Sequence, residues 1–120
     1  MSGATRHLKF YTSLWAMMPH DQSGVIMPFD QICEMVASAG YDGMAIDLGA
    51  GDVEQAHAVR PHMERCGLTP LIVAFPKTID SLQDTLLMAN DFNAPFDDVI
   101  GQEMPLSVEG MIPVVRRWIE

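Results

Sequence analysis

Basic side chains are scarce in this sequence: 7 Lys and Arg stand against 16 Asp and Glu, for a formal charge of -9 at pH 7. Affinity for nucleic acid comes from neutralising phosphates with Lys and Arg, so the imbalance argues against DNA or RNA as a partner. It argues equally against an anionic membrane surface. No apolar run approaches the roughly 20 residues that span a bilayer. The opening Met1-Ser2-Gly3-Ala4-Thr5-Arg6-His7 lacks the apolar core of a signal peptide. Cysteine is limited to Cys33 and Cys66, on separate predicted helices and without metal-type spacing. Two free thiols in a reducing cytoplasm are the expectation. Phosphate-binding signatures are missing too. Gly49-Ala50-Gly51 lacks the third glycine of a dinucleotide fingerprint, Asp52 would repel a pyrophosphate, and there is no Walker motif.

What is present is a core-forming chain. Its 120 residues, 48% hydrophobic and 19% charged, suit one globular domain with a buried interior. The plan is clearest from Ala39 to Gly49. A helix ends on Gly40, whose freedom to go left-handed closes the last turn. A tight turn follows, and then the apolar run Met44 to Leu48 carries Asp47 toward its C-terminal end. A buried parallel strand delivers a functional group to the rim of a sheet in this way.

The flanking segments repeat the pattern. Lys9, Tyr11 and Ser13 alternate with Phe10, Thr12 and Leu14, which predicts a first strand with Trp15 at its end. Residues 16–27 read as a long loop containing His20, of a length often tied to function. Pro28 suits the start of a helix with an apolar stripe of Phe29, Ile32, Cys33, Val36 and Ala37. Asp52 is a candidate cap for a second helix facing inward with Val53, Ala56, Val59, Met63 and Cys66. Pro61 predicts a kink or restart within it. Leu71 to Phe75 is a strand without alternation, expected to be covered on both faces. A third helix is expected to begin between Thr78 and Ser81 and to bury Ile79, Leu82, Leu86 and Ala89. Asp97 to Gln102 reads as a weaker fourth strand, its Asp97-Asp98 pair ending a loop. Ser107 caps a fourth helix, with Val108, Met111, Ile112, Val115 and Ile119 as its apolar side. Strands alternating with helices predict an α/β fold with an all-parallel sheet and right-handed crossovers.

Three stretches carry a family resemblance: Lys9 to Trp15, Ala39 to Asp47, and Gly67-Leu68-Thr69-Pro70-Leu71-Ile72. Together they resemble the sugar isomerase/epimerase superfamily, the xylose-isomerase-like (β/α)8 barrels, related also to endonuclease IV. The resemblance spans nearly the whole chain, and its motifs are structural. It implies a substrate at the C-terminal rim of a barrel, beside one or two divalent cations such as Mn²⁺, Mg²⁺ or Zn²⁺. A complete barrel takes about 250 residues, whereas this chain has 120 and resembles only the first four βα units. The family's metal ligands come mainly from the second half, so none is carried over and no catalytic residue is assigned. The expectation is a parallel (βα)4 half of a TIM barrel. It would be a shortened product, a fragment or one piece of a split barrel, inactive alone and able to form a homodimer or to join a second half-barrel.

The positions at or beyond predicted strand ends are Trp15, His20, Asp47, Phe75, Lys77, Gln102 and Glu103. In the resembled family such positions shape a sugar pocket, with aromatics against C–H faces and polar groups on hydroxyls. Trp15, Asp47 and Gln102 are the leading pocket residues. Against each stands a plainer role: Trp15 as a packing aromatic, Asp47 as a turn cap, and His20, Lys77 and Glu103 as solvated side chains. His57 and His62 read as surface residues. The implied chemistry is metal-assisted proton transfer next to a carbonyl of a small carbohydrate or hydroxy-acid. The alternative is a non-catalytic α/β module that binds a small ligand or a protein.

Overall fold

The computed structural model describes residues 8–18, 27–48, 53–100 and 107–120. Four strands alternate with four helices: β1 (Tyr11–Ser13), α1 (Phe29–Ser38), β2 (Gly43–Leu48), α2 (Val53–Arg65), β3 (Thr69–Ala74), α3 (Ile79–Asp91), β4 (Asp97–Val99) and α4 (Val108–Ile119). A 3₁₀ turn, Trp15–Met17, follows β1. The strands form one sheet in the order β1-β2-β3-β4, and every neighbouring pair is parallel. This is the α/β architecture the alternation predicts, arranged as half of a (β/α)8 barrel. None of the described helices is long and apolar enough to cross a membrane.

The core lies on one face of the sheet. Leu14, Met44, Ile46 and Ile72 pack there against Ile32, Cys33 and Val36 of α1, Val59 and Met63 of α2, and Ala89 at the end of α3. Strand side chains alternate between faces. The register therefore puts Tyr11, Ser13, Ala45, Asp47, Leu71, Val73 and Asp98 on the opposite face. Leu71 and Val73 are only half-buried, unlike Ile72 and Ala74 beside them. This corrects the expectation that β3 is covered on both faces: the helices cover one, and the described residues supply no second layer for the other. The sheet is curved toward that open side. Strands three places apart in a flat sheet sit about 14 Å from one another. Yet Tyr11 at β1 and Phe96 just before β4 meet edge-to-face with ring centroids 6.1 Å apart.

The N-terminal edge of the sheet explains the Ala39 to Gly43 turn. Gly40 takes φ +90, the left-handed stop of α1, and Gly67 does the same after α2 at φ +68. Asp42 then ties three segments. Its carboxylate accepts from the Phe10 N–H at 2.8 Å, its own N–H donates to the Phe10 carbonyl at 2.8 Å, and its carbonyl accepts from Thr69 N–H at 2.9 Å. At Gly43 a Cβ would collide with the Thr69 carbonyl oxygen and lie 2.5 Å from the Tyr11 ring. Only glycine fits, because β1 and β3 close on β2 from both sides here.

The helices mostly start where expected. Thr78 forms a reciprocal capping box with Ser81, and the Ser107 side chain accepts from Gly110 N–H. Pro28 stands one residue earlier than a first-turn position, as the N-cap. α2 runs through Pro61 as one element rather than restarting. Arg60, one residue before it, fastens α2 to α3: it donates to the Asp91 carboxylate and carbonyl at 2.9 Å each and lies 4.6 Å from the Phe92 ring centroid. Asp52, proposed as its cap, lies outside the described residues.

Two expected stripes differ. In α3, Leu82 and Ala89 are buried but Ile79 and Leu86 are exposed. In α4 most of the expected inward side points out: Val108 is 77% exposed, Ile112 46%, Val115 41% and Ile119 80%, while Met111 is half-buried and only Val114 is buried. The physical reason is that, among the described residues, the main packing partner of α4 is α3, on one side of the helix. Both cysteines are free thiols. Burial, with Cys66 adding to it, pushes the Cys33 thiol up to about 11, so it stays protonated and inert near neutrality.

Candidate functional site

The C-terminal ends of β1 and β2 carry the best-defined polar arrangement. Ser13 is the last residue of β1 and pairs in register with Ala45, which puts its hydroxyl near the next inward position of β2, Asp47. The Ser13 hydroxyl donates to Asp47 Oδ2 at 2.8 Å and accepts from the Trp15 N–H at 3.1 Å. Amide, hydroxyl and carboxylate thus form one chain running from the 3₁₀ turn to β2. The turn exists because the backbone leaves β1 at Leu14, whose N–H still bonds Ala45 O at 2.8 Å while its side chain drops into the core. That buried anchor presents Trp15 outward, 63% exposed.

A cavity of about 180 Å³ opens here, lined by Leu14, Trp15, Met18, Asp47 and Gln55. It combines an aromatic face, a carboxylate held by a hydroxyl, and an amide. Those groups can accept hydrogen bonds from vicinal hydroxyls and cover the C–H face of a small polar molecule. The structure therefore brings Trp15 and Asp47 together, and Asp47 bonds across to β1 through Ser13. Phe75 and Lys77 follow the end of β3, Phe75 half-buried and Lys77 exposed, and neither lines this cavity. His20, Gln102 and Glu103 lie outside the described residues.

Two residues escaped the sequence reading. Ser13 was placed in the alternation of the first strand but not at the rim. The signal was its two-residue offset from Tyr11, which puts it on the inward face at the strand's end. Gln55 lies in the first turn of α2, and nothing in the residues around it marks it as a pocket residue.

No metal centre is assembled by these groups. Among the described residues, no set of three or more His, Cys, Asp or Glu side chains could hold a metal ion. A single carboxylate already engaged by a hydroxyl does not make a cation site.

The Asp97-Asp98 pair lies within β4 rather than ending a loop. Register with Ile72 turns Asp97 toward the helices. Both its carboxylate oxygens are shut off from solvent with no hydrogen-bond partner. Burial, with Asp98 beside it, raises its pKa from 3.8 to about 6. Asp97 faces away from the rim cavity and plays no part in it.

On the helix side of the sheet, Leu48, Val53, His57, Asp84, Thr85, Met88 and Asp91 line a cleft between α2 and α3. His57 is an exposed surface residue, as expected, and its ring packs edge-to-face on Phe92 at 5.3 Å. In comparison with known proteins, no family model, no curated protein and no solved structure matches this chain.

Proposed function

We propose that this chain is the substrate-shaping wall of a sugar isomerase or epimerase-type (β/α)8 barrel, working when a second half closes it. The observation that carries the reading is the Ser13–Asp47 pair at the C-terminal rim of a parallel sheet, beside exposed Trp15 in the turn that follows β1. Parallel barrels do their chemistry at that rim. Asp47, oriented by Ser13, would accept from a hydroxyl of a small carbohydrate or hydroxy-acid, and Trp15 would cover its C–H face. The Lys9 to Trp15 and Ala39 to Asp47 stretches that resemble the sugar isomerase/epimerase superfamily support the same reading. The reaction class is proton transfer next to a carbonyl. A divalent cation (Mn²⁺, Mg²⁺ or Zn²⁺) would need its ligands from the completing half. The two free thiols suit a cytoplasmic protein.

The test is a panel of aldose–ketose pairs and hydroxy-acids, with and without each cation, read by thermal shift and by turnover. The reading expects a stabilising ligand whose effect is lost in Asp47→Asn and Trp15→Ala. No response to any sugar or cation defeats it. Binding without turnover, in an assembly of full barrel mass, identifies a non-catalytic binding module instead.

A further inference from the structure

We infer that the rim cavity selects its ligand by charge: it seats an uncharged polyhydroxylated group and turns away a phosphate or a carboxylate, with Gln55 as the residue that sets this specificity. The inference rests on the rim reading above and narrows it, because it removes anionic groups from the part of the ligand that this wall holds.

The hydrogen-bonding groups point to hydroxyls. Ser13 donates to Asp47 Oδ2 at 2.8 Å, so that oxygen is held in place and Oδ1 is left to accept. Gln55, half-buried in the first turn of α2, brings an amide that both donates and accepts. Leu14, Met18 and the Trp15 ring supply the rest of the lining. A hydroxyl suits this set, since it can donate to the carboxylate and accept from the amide. A phosphate or carboxylate offers acceptors alone, and at Asp47 two acceptors would meet.

Charge says the same. Asp47 is the one charged side chain among the five that line the cavity, and it is negative. Of the described basic side chains, Lys9 precedes β1, Arg60 and Arg65 are bonded to carboxylates of Glu64, Asp91 and Glu34, and Arg116 and Arg117 lie in the last turn of α4. Lys77 alone stands just past the C-terminal end of a strand, and it does not line the cavity. The start of α2 does favour an anion, as any helix N-terminus does. Its first turn already carries Glu54, which with Asp47 sets two negative charges against that dipole. Whatever other elements of a completed barrel contribute, the portion of a ligand seated here meets these five side chains.

Size extends the selection to the whole of a small sugar. The cavity holds about 180 Å³. A five-carbon chain seated in it keeps both ends within about 8 Å of Asp47, one Debye length at physiological salt.

The experiment is a titration followed by ¹H–¹⁵N NMR, in which the Gln55 side-chain amide and the Trp15 indole report occupancy of this cavity. The probes are D-ribose, D-ribonate and D-ribose 5-phosphate, with D-glucose, D-gluconate and D-glucose 6-phosphate as a six-carbon set. The neutral sugar should bind about tenfold more tightly than its anions at low salt. The gap should narrow at high salt, which exclusion by size alone would not produce. Asp47→Asn should bring the members of a set within about twofold of one another. Gln55→Lys should reverse the ranking, and Lys77→Ala should leave it as in the wild type. Far-UV circular dichroism checks folding, and if Gln55→Lys fails to fold, Gln55→Arg decides. An anion that binds as tightly as its neutral sugar overturns the inference and leaves the carbohydrate reading in place. A gap that ignores salt, or one that Lys77→Ala changes, overturns it in the same way. No shift at the cavity with any probe removes the carbohydrate reading, and the inference falls with it.

Discussion

Replacing Asp97 with Asn should stabilise this protein at neutral pH. The carboxylate is turned under the sheet with both oxygens unpartnered, and its pKa rises from 3.8 to about 6. A folded state that holds the proton more tightly than the unfolded chain is favoured at low pH. The contribution is fully present below pH 3.8 and is lost as the pH rises through about 6. A shift of about two units corresponds to about 3 kcal/mol as a limit. Asp97 as a whole residue is half-buried, and solvent screening reduces that to about 1.5 kcal/mol. Asn keeps the shape and removes the charge. Asp97→Asn should therefore gain about 1.5 kcal/mol at pH 7, or about 5 °C in Tm. Near pH 4 the advantage should shrink toward zero. Urea denaturation of both proteins across pH 4 to 7, at one fixed protein concentration, reads the difference directly. A variant that is no more stable at pH 7, or whose difference does not change with pH, refutes the reasoning.

Gly43→Ala should lower stability by about 3 kcal/mol or prevent folding, since its methyl meets the Thr69 carbonyl and the Tyr11 ring; soluble yield and denaturant midpoints test this. Ser13→Ala removes the hydroxyl that orients Asp47 and should weaken any rim ligand by about tenfold while moving the melting temperature little, as titration calorimetry would show. Arg60→Ala breaks the contacts to Asp91, Glu64 and the Phe92 ring and should cost about 1 kcal/mol, because both its carboxylate partners are solvent-exposed; chemical denaturation checks the figure.

The order of elements was legible because it rests on local signals. Gly40 and Gly67 stop helices through positive φ, and Thr78 and Ser107 start them through side-chain caps. What misled was burial inferred from composition alone. The apolar runs of β3 and α4 are written for two covered sides, but a side chain is buried only if something stands opposite it. Leu71, Val73 and the α4 stripe therefore came out half or fully exposed. Asp97 shows the converse. The pair of acids reads as the end of a loop, and only the register with Ile72 reveals that one of them is turned inside. At the rim, Trp15 and Asp47 were readable from their places at strand ends, whereas the bond that joins β1 to β2 spans 34 residues and no local pattern reports it.

Hydrogen exchange at the two outer strand edges tests the half-barrel account most directly. In a parallel ladder, alternate residues bond the same neighbour. Leu14 N–H bonds Ala45 and Ile100 N–H bonds Ala74, so the amides of Tyr11 and Ser13 on β1, and of Asp97 and Val99 on β4, point away from the sheet. If another half completes the cylinder, these four amides exchange slowly, with protection comparable to the β2 and β3 amides. Exchange at unprotected rates there, in a folded protein whose β2 and β3 amides are slow, would mean that the edges stay open and that no barrel forms.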